Sequence, residues 1–269
     1  MLNLVCALKC EALPLIDYYR LKRDLSIGVY EVFCNVDSNI NLILSRPGKM
    51  NAAAATASLY HYSRLKTTAW LNVGIAGHRS LTLGNPVLAH KVIDVATGQT
   101  WYPQILFEPQ VSTSDLKTLD KASTEYEDVL FDMEAAGFYC TASRFSKHEL
   151  IHCLKIISDN ADNPVQKPSN EFFTSLVSDN IGIIDNIINR LVESASELDK
   201  LEQPPACYNS FLTKWHFTSY QQGRLKQLLH RWEVLRPETD PEHLVGDCQS
   251  GRDIILKLEN LLDNTVINF

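Results

Sequence analysis

Glu11, Glu134 and Asp159 stand where an open α/β sheet does its chemistry. Glu11 follows the apolar run "LNLVCALK", Glu134 follows "VLFDM", and Asp159 ends "LIHCLKIISD". Each sits where a strand leaves the sheet, and ligands of such sheets bind outside the carboxyl ends of the strands. Strands distant in sequence can bring all three carboxylates to one cleft. Taken singly, each has an ordinary structural use. Glu11 and Glu134 suit the first turn of a helix, where negative charge is favoured, and Asp159 in "ISDNAD" suits a turn or cap. Two glycine turns end other strands, "RPGKMN" around Gly48 and "VGIAGH" around Gly74 and Gly77. Glycine there lets backbone approach a ligand closely. The joint arrangement, rather than any one residue, points to a site.

"DMEAAGFY" followed further along by "KIISDNAD" resembles the nucleoside phosphorylase superfamily, and within it the methylthioadenosine/S-adenosylhomocysteine nucleosidase branch. "ALKCEALPL", "PGKMNAAAATA" and "LNVGIAGH" extend the likeness in the same order, over roughly residues 1–198. The resemblance implies hydrolysis of the N-glycosidic bond of a 5′-modified adenine nucleoside, with release of adenine and with neither cofactor nor metal. It implies that Glu134 accepts hydrogen bonds from the ribose hydroxyls, a task that suits an acceptor-only group able to engage two hydroxyls. Met133 would pack on the sugar, and Ser158 would orient Asp159. Asp159 would carry a proton at the purine N7, where general acid catalysis stabilises the departing base. Glu11 would position or deprotonate the attacking water, and Gly48, Ala76 and Gly77 would lie against the substrate.

Two residues depart from the family pattern. Ile75 stands where small hydroxyl residues are usual, and His78 where a further glycine is common. No counterpart of the arginine-rich phosphate sites of phosphorylases is evident, Arg46 being the nearest candidate. The purine-stacking loop is expected within "VSTSDLKTLDKAS", without an assignable aromatic residue. A phosphate-dependent phosphorylase and a catalytically weak nucleoside-binding or scaffold protein therefore stand as alternatives. The family resemblance also implies a homodimer in which a neighbour helps close the 5′ pocket.

The elements that must position these residues follow from hydrophobic patterning. "LNLVCALK", "GVYEVFCN", "INLILSRPG", "TAWLNVGIAGH", "PVLAHKVIDVA", "QILFEPQVST", "VLFDM" and "LIHCLKIISD" read as strands. Helices are expected after Glu11, through the alanine-rich "KMNAAAATASLYHYSRLK", from Glu134, and from about 169 to 198. This alternation predicts a mostly parallel or mixed twisted sheet flanked by helices, with a catalytic domain over 1–199. Prolines in "KLEQPPACYN" then end any helix. Two helical patterns, roughly 207–235 and 249–263, predict a helical appendage over 200–269. Two helices are too few for a full core, so their apolar faces are expected to pack on the first domain, a second subunit or a protein partner.

Bulk properties narrow the classes. The chain has 269 residues and a net charge of −7, which argues against a nucleic-acid or membrane binder. Seven cysteines without paired spacing read as reduced thiols of a cytoplasmic protein. Lys9 and Glu11 interrupt the apolar start, so a signal peptide is not expected. Cys6 with Cys10, and His148 with His152 and Cys153, lack the spacing of a zinc site. The basic and aromatic residues of "FLTKWHFTSYQQGRLKQLLHRW" fit helix packing better than single-stranded nucleic acid.

Overall fold

A computed structural model of the chain describes residues 1–25, 28–35, 37–63, 68–123, 125–164 and 169–264. It divides into two compact units, Met1–Asp199 and Lys200–Phe269.

The first unit carries the strands β1 (Leu2–Cys6), β2 (Lys22–Asp24), β3 (Val32–Asn35), β4 (Ile40–Leu44), β5 (Ala69–Gly77), β6 (Pro86–Asp94), β7 (Thr100–Trp101), β8 (Ser112–Thr118), β9 (Leu130–Asp132) and β10 (Ile151–Asp159). Its helices are α1 (Lys9–Tyr18), α2 (Lys49–Ser63), α3 (Ala135–Ala142), α4 (Asn170–Asp179) and α5 (Ile181–Glu202). β1 lies between β4 and β5, parallel to both. β5 runs parallel to β10, and β10 antiparallel to β6. β6, β8 and β9 continue in parallel. β9 then returns to β5 through Gly77 opposite Phe131. The strands β5, β10, β6, β8 and β9 thus close on themselves, while β3 and β2 extend the other edge antiparallel. The result is a mixed twisted sheet flanked by helices, with a helical extension after it.

Coverage on both faces explains the strand sequences. β1 is buried at every position, and β10 at all but Asp159, as expected of strands covered on both faces. Alternate residues serve opposite layers. Leu4, Leu71, Leu154, Ile184 and Leu191 pack on one side of the sheet, and Val5, Trp70, Ala52, Ala55 and Phe138 on the other.

The second layer depends on close approach of α2 and α3. A Cβ on Gly137 would lie 1.9 Å from the carbonyl oxygen of Lys49, a contact that only movement of α2 could relieve. Gly137→Ala is therefore expected to destabilise the first unit by about 1–3 kcal/mol, read as a lower denaturation midpoint. An unchanged midpoint would show that α2 shifts freely, against the packing described.

Several elements differ from the sequence expectation. The strand expected in "QILFEPQVST" begins only at Ser112, because Pro103 and Pro109 offer no backbone donor to a ladder; it continues through "STSDLKT" to Thr118. Most of the segment expected to be a stacking loop is therefore strand. The helix expected over about 169 to 198 is two, broken at Asn180, whose side-chain amide donates to Gly84 O (2.9 Å) and Leu176 O (2.9 Å). Gly74 lies inside β5 rather than in a turn, and α1 starts at Lys9, which puts Glu11 in its first turn.

The second unit holds α6 (Tyr208–Lys214), α7 (Ser219–Leu235), α8 (Pro241–Leu244) and α9 (Gly251–Asp263), with no strand among its described residues. The single helix expected over 207–235 is divided at "WHFT", where Thr218 and Gln221 form a reciprocal cap opening α7. Contrary to expectation, the unit has a core of its own. Phe211, Phe217, Leu225, Leu228, Leu229, Trp232, Val245, Ile254, Leu258 and Leu262 are all buried together. Extra helices and turns supply the faces that two helices alone lack. The indole N–H groups of Trp215 and Trp232 donate to Cys248 O (3.0 Å) and Thr239 O (2.8 Å), so these aromatics are structural. No helix among the described residues is long and apolar enough to cross a membrane.

Candidate active site

Glu11 is placed by its own turn. Its Oε2 accepts from the backbone N–H of Ala7 (3.1 Å) and Leu8 (2.9 Å), and its Oε1 from that of Ile75 (3.2 Å) on β5. A Cβ at position 74 would come 3.1 Å from Oε1, so Gly74 makes the room this carboxylate needs. Burial pushes the carboxyl up to about 7, against the Leu8 N–H and the Lys155 ammonium, and the Glu134 charge adds to the rise. A carboxyl poised near neutrality suits a general base.

At the end of β9 the capping role falls to Asp132 and not to Glu134. Asp132 Oδ2 accepts from Ala135 N–H (2.8 Å) at the start of α3, and Oδ1 accepts from Thr118 Oγ1 (2.7 Å). Glu134 makes no cap bond to its own helix. Its Oε1 instead accepts from Gly48 N–H (2.8 Å). Gly48 has φ 103 and follows Arg46 at φ 70; the glycine tolerates this region without a steric cost, and the turn aims its N–H at Glu134. Burial, then the charge of Asp132, pushes the Glu134 carboxyl up, with Lys155 opposing.

Lys155 lies within β10 and is 1% exposed. Its ammonium pairs with Asp132 Oδ2 at 2.8 Å. Burial disfavours the charge, but Asp132 and Glu134 outweigh it and hold the ammonium's pKa above its usual value. At the end of the same strand, Asp159 Oδ1 accepts from Ser158 Oγ (2.5 Å) and Oδ2 from the Tyr126 hydroxyl (2.7 Å).

These groups face a cavity of about 280 Å³ lined by Glu11, Ala76, Gly77, Met133, Glu134, Ser158 and Asp159, and also by Ile75, Asp132 and the aromatic rings of Tyr126, Phe131 and Phe173. Gly48 reaches the site through its bond to Glu134 rather than by lining it. Arg46 is exposed and does not line it. Ile75 presents an apolar side chain where a hydroxyl was expected, while its N–H serves Glu11. His78 is not among the lining residues. Its Nδ1 accepts from Ser80 N–H (3.1 Å) and Leu81 N–H (3.2 Å), and burial pushes its pKa down, so a neutral ring builds the turn.

Asp132, Lys155 and Tyr126 escaped the sequence analysis. A lysine within the apolar strand "LIHCLKIISD" was the available signal for a buried charge needing a partner. Asp132, three residues before Ala135, had the spacing of a helix cap. Tyr126 lies just beyond the segment searched for an aromatic.

The closed strand ring, with carboxylates gathered at strand ends, defines a fold class, that of the nucleoside phosphorylase-like α/β proteins. Within it the chain is similar to solved structures of methylthioadenosine nucleosidases. The enzyme from Arabidopsis thaliana in its apo form aligns with a TM-score of 0.58 at 19% identity, over 71% of this chain and 95% of its own. That of Colwellia psychrerythraea, in complex with adenine, gives 0.56 at 19% over 71% and 95%. That of Helicobacter pylori, with butyl-thio-DADMe-Immucillin-A, gives 0.55 at 16% over 70% and 97%. No protein-family model matches the sequence, and no curated protein does.

Proposed function

We propose that the unit Met1–Asp199 hydrolyses the N-glycosidic bond of a 5′-modified adenine nucleoside, of the methylthioadenosine, adenosylhomocysteine or 5′-deoxyadenosine type. The observation that carries this is the convergence of Glu11, Glu134 and Asp159 from separate strand ends on one cavity, each in a different environment, within the fold of the methylthioadenosine nucleosidases. Glu134, bonded by Gly48 and beside Met133, holds the ribose hydroxyls. As the bond from C1′ to N9 breaks, its electron pair leaves with the base, and Asp159 delivers a proton to N7. Water adds to the oxocarbenium-like C1′ and gives its proton to Glu11.

Water rather than phosphate fits the charges. Among the described residues lining the cavity none is cationic, and Glu11, Asp132, Glu134 and Asp159 all line it. Lys155 is already paired with Asp132. A phosphate dianion there would meet like charges without a free counter-ion. The full chain incubated with these three nucleosides should release adenine without added phosphate. Strict phosphate dependence, with ribose-1-phosphate as product, would make it a phosphorylase. Binding without turnover would make it a nucleoside-binding protein.

The role of Glu11 sets the pH profile. A base must be ionised, so kcat/KM should fall as the pH drops through about 7. A profile flat from pH 8 to pH 5 would remove Glu11 as the base.

A homodimer is part of this reading. It rests on the family resemblance, and sedimentation of the full chain tests it. A cytoplasmic setting is supported by the seven cysteines, all free thiols.

A further inference from the structure

Both oxygens of Asp159 are occupied. Ser158, its chain neighbour on β10, serves Oδ1, and Tyr126, from the loop joining β8 to β9, serves Oδ2 at 2.7 Å. The Tyr126 ring rests against Gly77: a Cβ there would come 3.1 Å from its Cε1 and 2.9 Å from Asp159 Oδ2. Tyr126 therefore brings into the cavity a flat aromatic ring with a polar hydrogen at its rim, laid against glycine backbone and bonded to Asp159. A purine edge meeting the same carboxylate needs the place against that glycine backbone which the Tyr126 ring, held by its hydroxyl on Oδ2, now fills.

We propose that Tyr126 is a specificity-determining latch, which holds the place of the leaving base on Asp159 and yields it only to a planar heterocycle that can renew the hydrogen bond. This rests on the reading of Asp159 as the group that meets the base. The main chain beside the ring is anchored. Arg79 Nε donates to Tyr126 O (3.2 Å) and Arg79 N–H to Glu127 O (3.0 Å), and Asp128 accepts from Ser80 Oγ (3.3 Å) and Arg79 Nη1 (3.4 Å). The latch thus opens by rotation of the half-buried side chain, not by lifting of the loop. A ligand without a flat face, such as a free pentose, gives nothing in return for the displaced ring and leaves the latch shut.

The latch also sets the direction of the hydrogen bond. With Tyr126 in place, Asp159 accepts at both oxygens. Replacement of the phenol by the base frees Oδ2, which must take a proton from solvent before it can pass one to N7.

Tyr126→Phe keeps the ring and removes the competing donor. Titration calorimetry of the full chain with adenine should show binding about tenfold tighter in Y126F than in the wild type, since hydrogen bonds to charged groups are worth this much or more. An equal thermal midpoint in the two proteins would show that the fold is unaltered. Wild-type binding of adenine with no gain, or a loss, in Y126F overturns the latch and leaves the proposed function standing. Failure of both proteins to bind adenine overturns the two together. A structure with adenine bound and the Tyr126 hydroxyl still on Asp159 Oδ2 likewise overturns the latch alone.

Discussion

Asp159→Asn should reduce turnover of the active nucleoside by about 10²–10⁴-fold, the range general acid catalysis supplies. Glycosidic cleavage places negative charge on the base, and an amide has no proton of the required acidity to neutralise it. Asparagine keeps the shape of aspartate, and its carbonyl oxygen still accepts from one hydroxyl. The amide NH₂ then donates to the other, because Ser158 and Tyr126 both carry oxygens that accept as well as donate. Thermal unfolding should therefore match the wild type. The measurement is kcat on a sample shown to be folded. Turnover near the wild-type level would remove Asp159 from the chemistry and with it the assignment of the cavity.

Lys155→Met should have the largest effect on stability, a loss of about 3–5 kcal/mol, because removing one partner of a buried pair leaves the other charge uncompensated. Here the uncompensated group is Asp132, which accepts from Thr118 and Ala135 as well as pairing with Lys155. Glu134 and Glu11 lose the same counter-charge. Methionine fills the lysine stem, so the effect is one of charge and not of volume. The double variant Lys155→Met with Asp132→Asn should recover part of the loss in chemical denaturation. A single variant as stable as the wild type would mean that the carboxylates bear their charge without the ammonium.

How far the site is legible in the sequence depends on where each residue's partner lies. Glu11, Glu134 and Asp159 are legible because strand ends can be read from apolar runs and the edge of a sheet collects what stands there. Asp132 and Lys155 are each plain in sequence, but their meaning is the pair they form between β9 and β10, and no local pattern shows it. Tyr126 is invisible for the same reason, its partner lying far along the chain at the end of β10. β8 misleads because its residues are polar. Lys91 with Asp115 (3.0 Å) and Lys117 with Glu127 (2.6 Å) satisfy them, so a stretch that reads as loop is a paired strand, while the apolar "ILF" before it is not. Apolar spacing runs through Asn180 unbroken, which hides the end of α4. In the second unit the helical faces are legible, but the core they close is not, because it needs α8 and the turns as well.

The enclosure of Glu11 sets its proposed role against the stability of the fold. Its folded-state pKa of about 7 lies above its ordinary value of 4.5, so the native protein binds that proton more tightly than the unfolded chain does. The contribution is fully present below about pH 4.5 and is lost as the pH rises through about 7, a swing on the order of 3 kcal/mol. Ionised Glu11, the form a base requires, is thus the form that loosens the fold. For this one side chain, the pH that favours the fold and the pH that the proposed base needs lie on opposite sides of its titration.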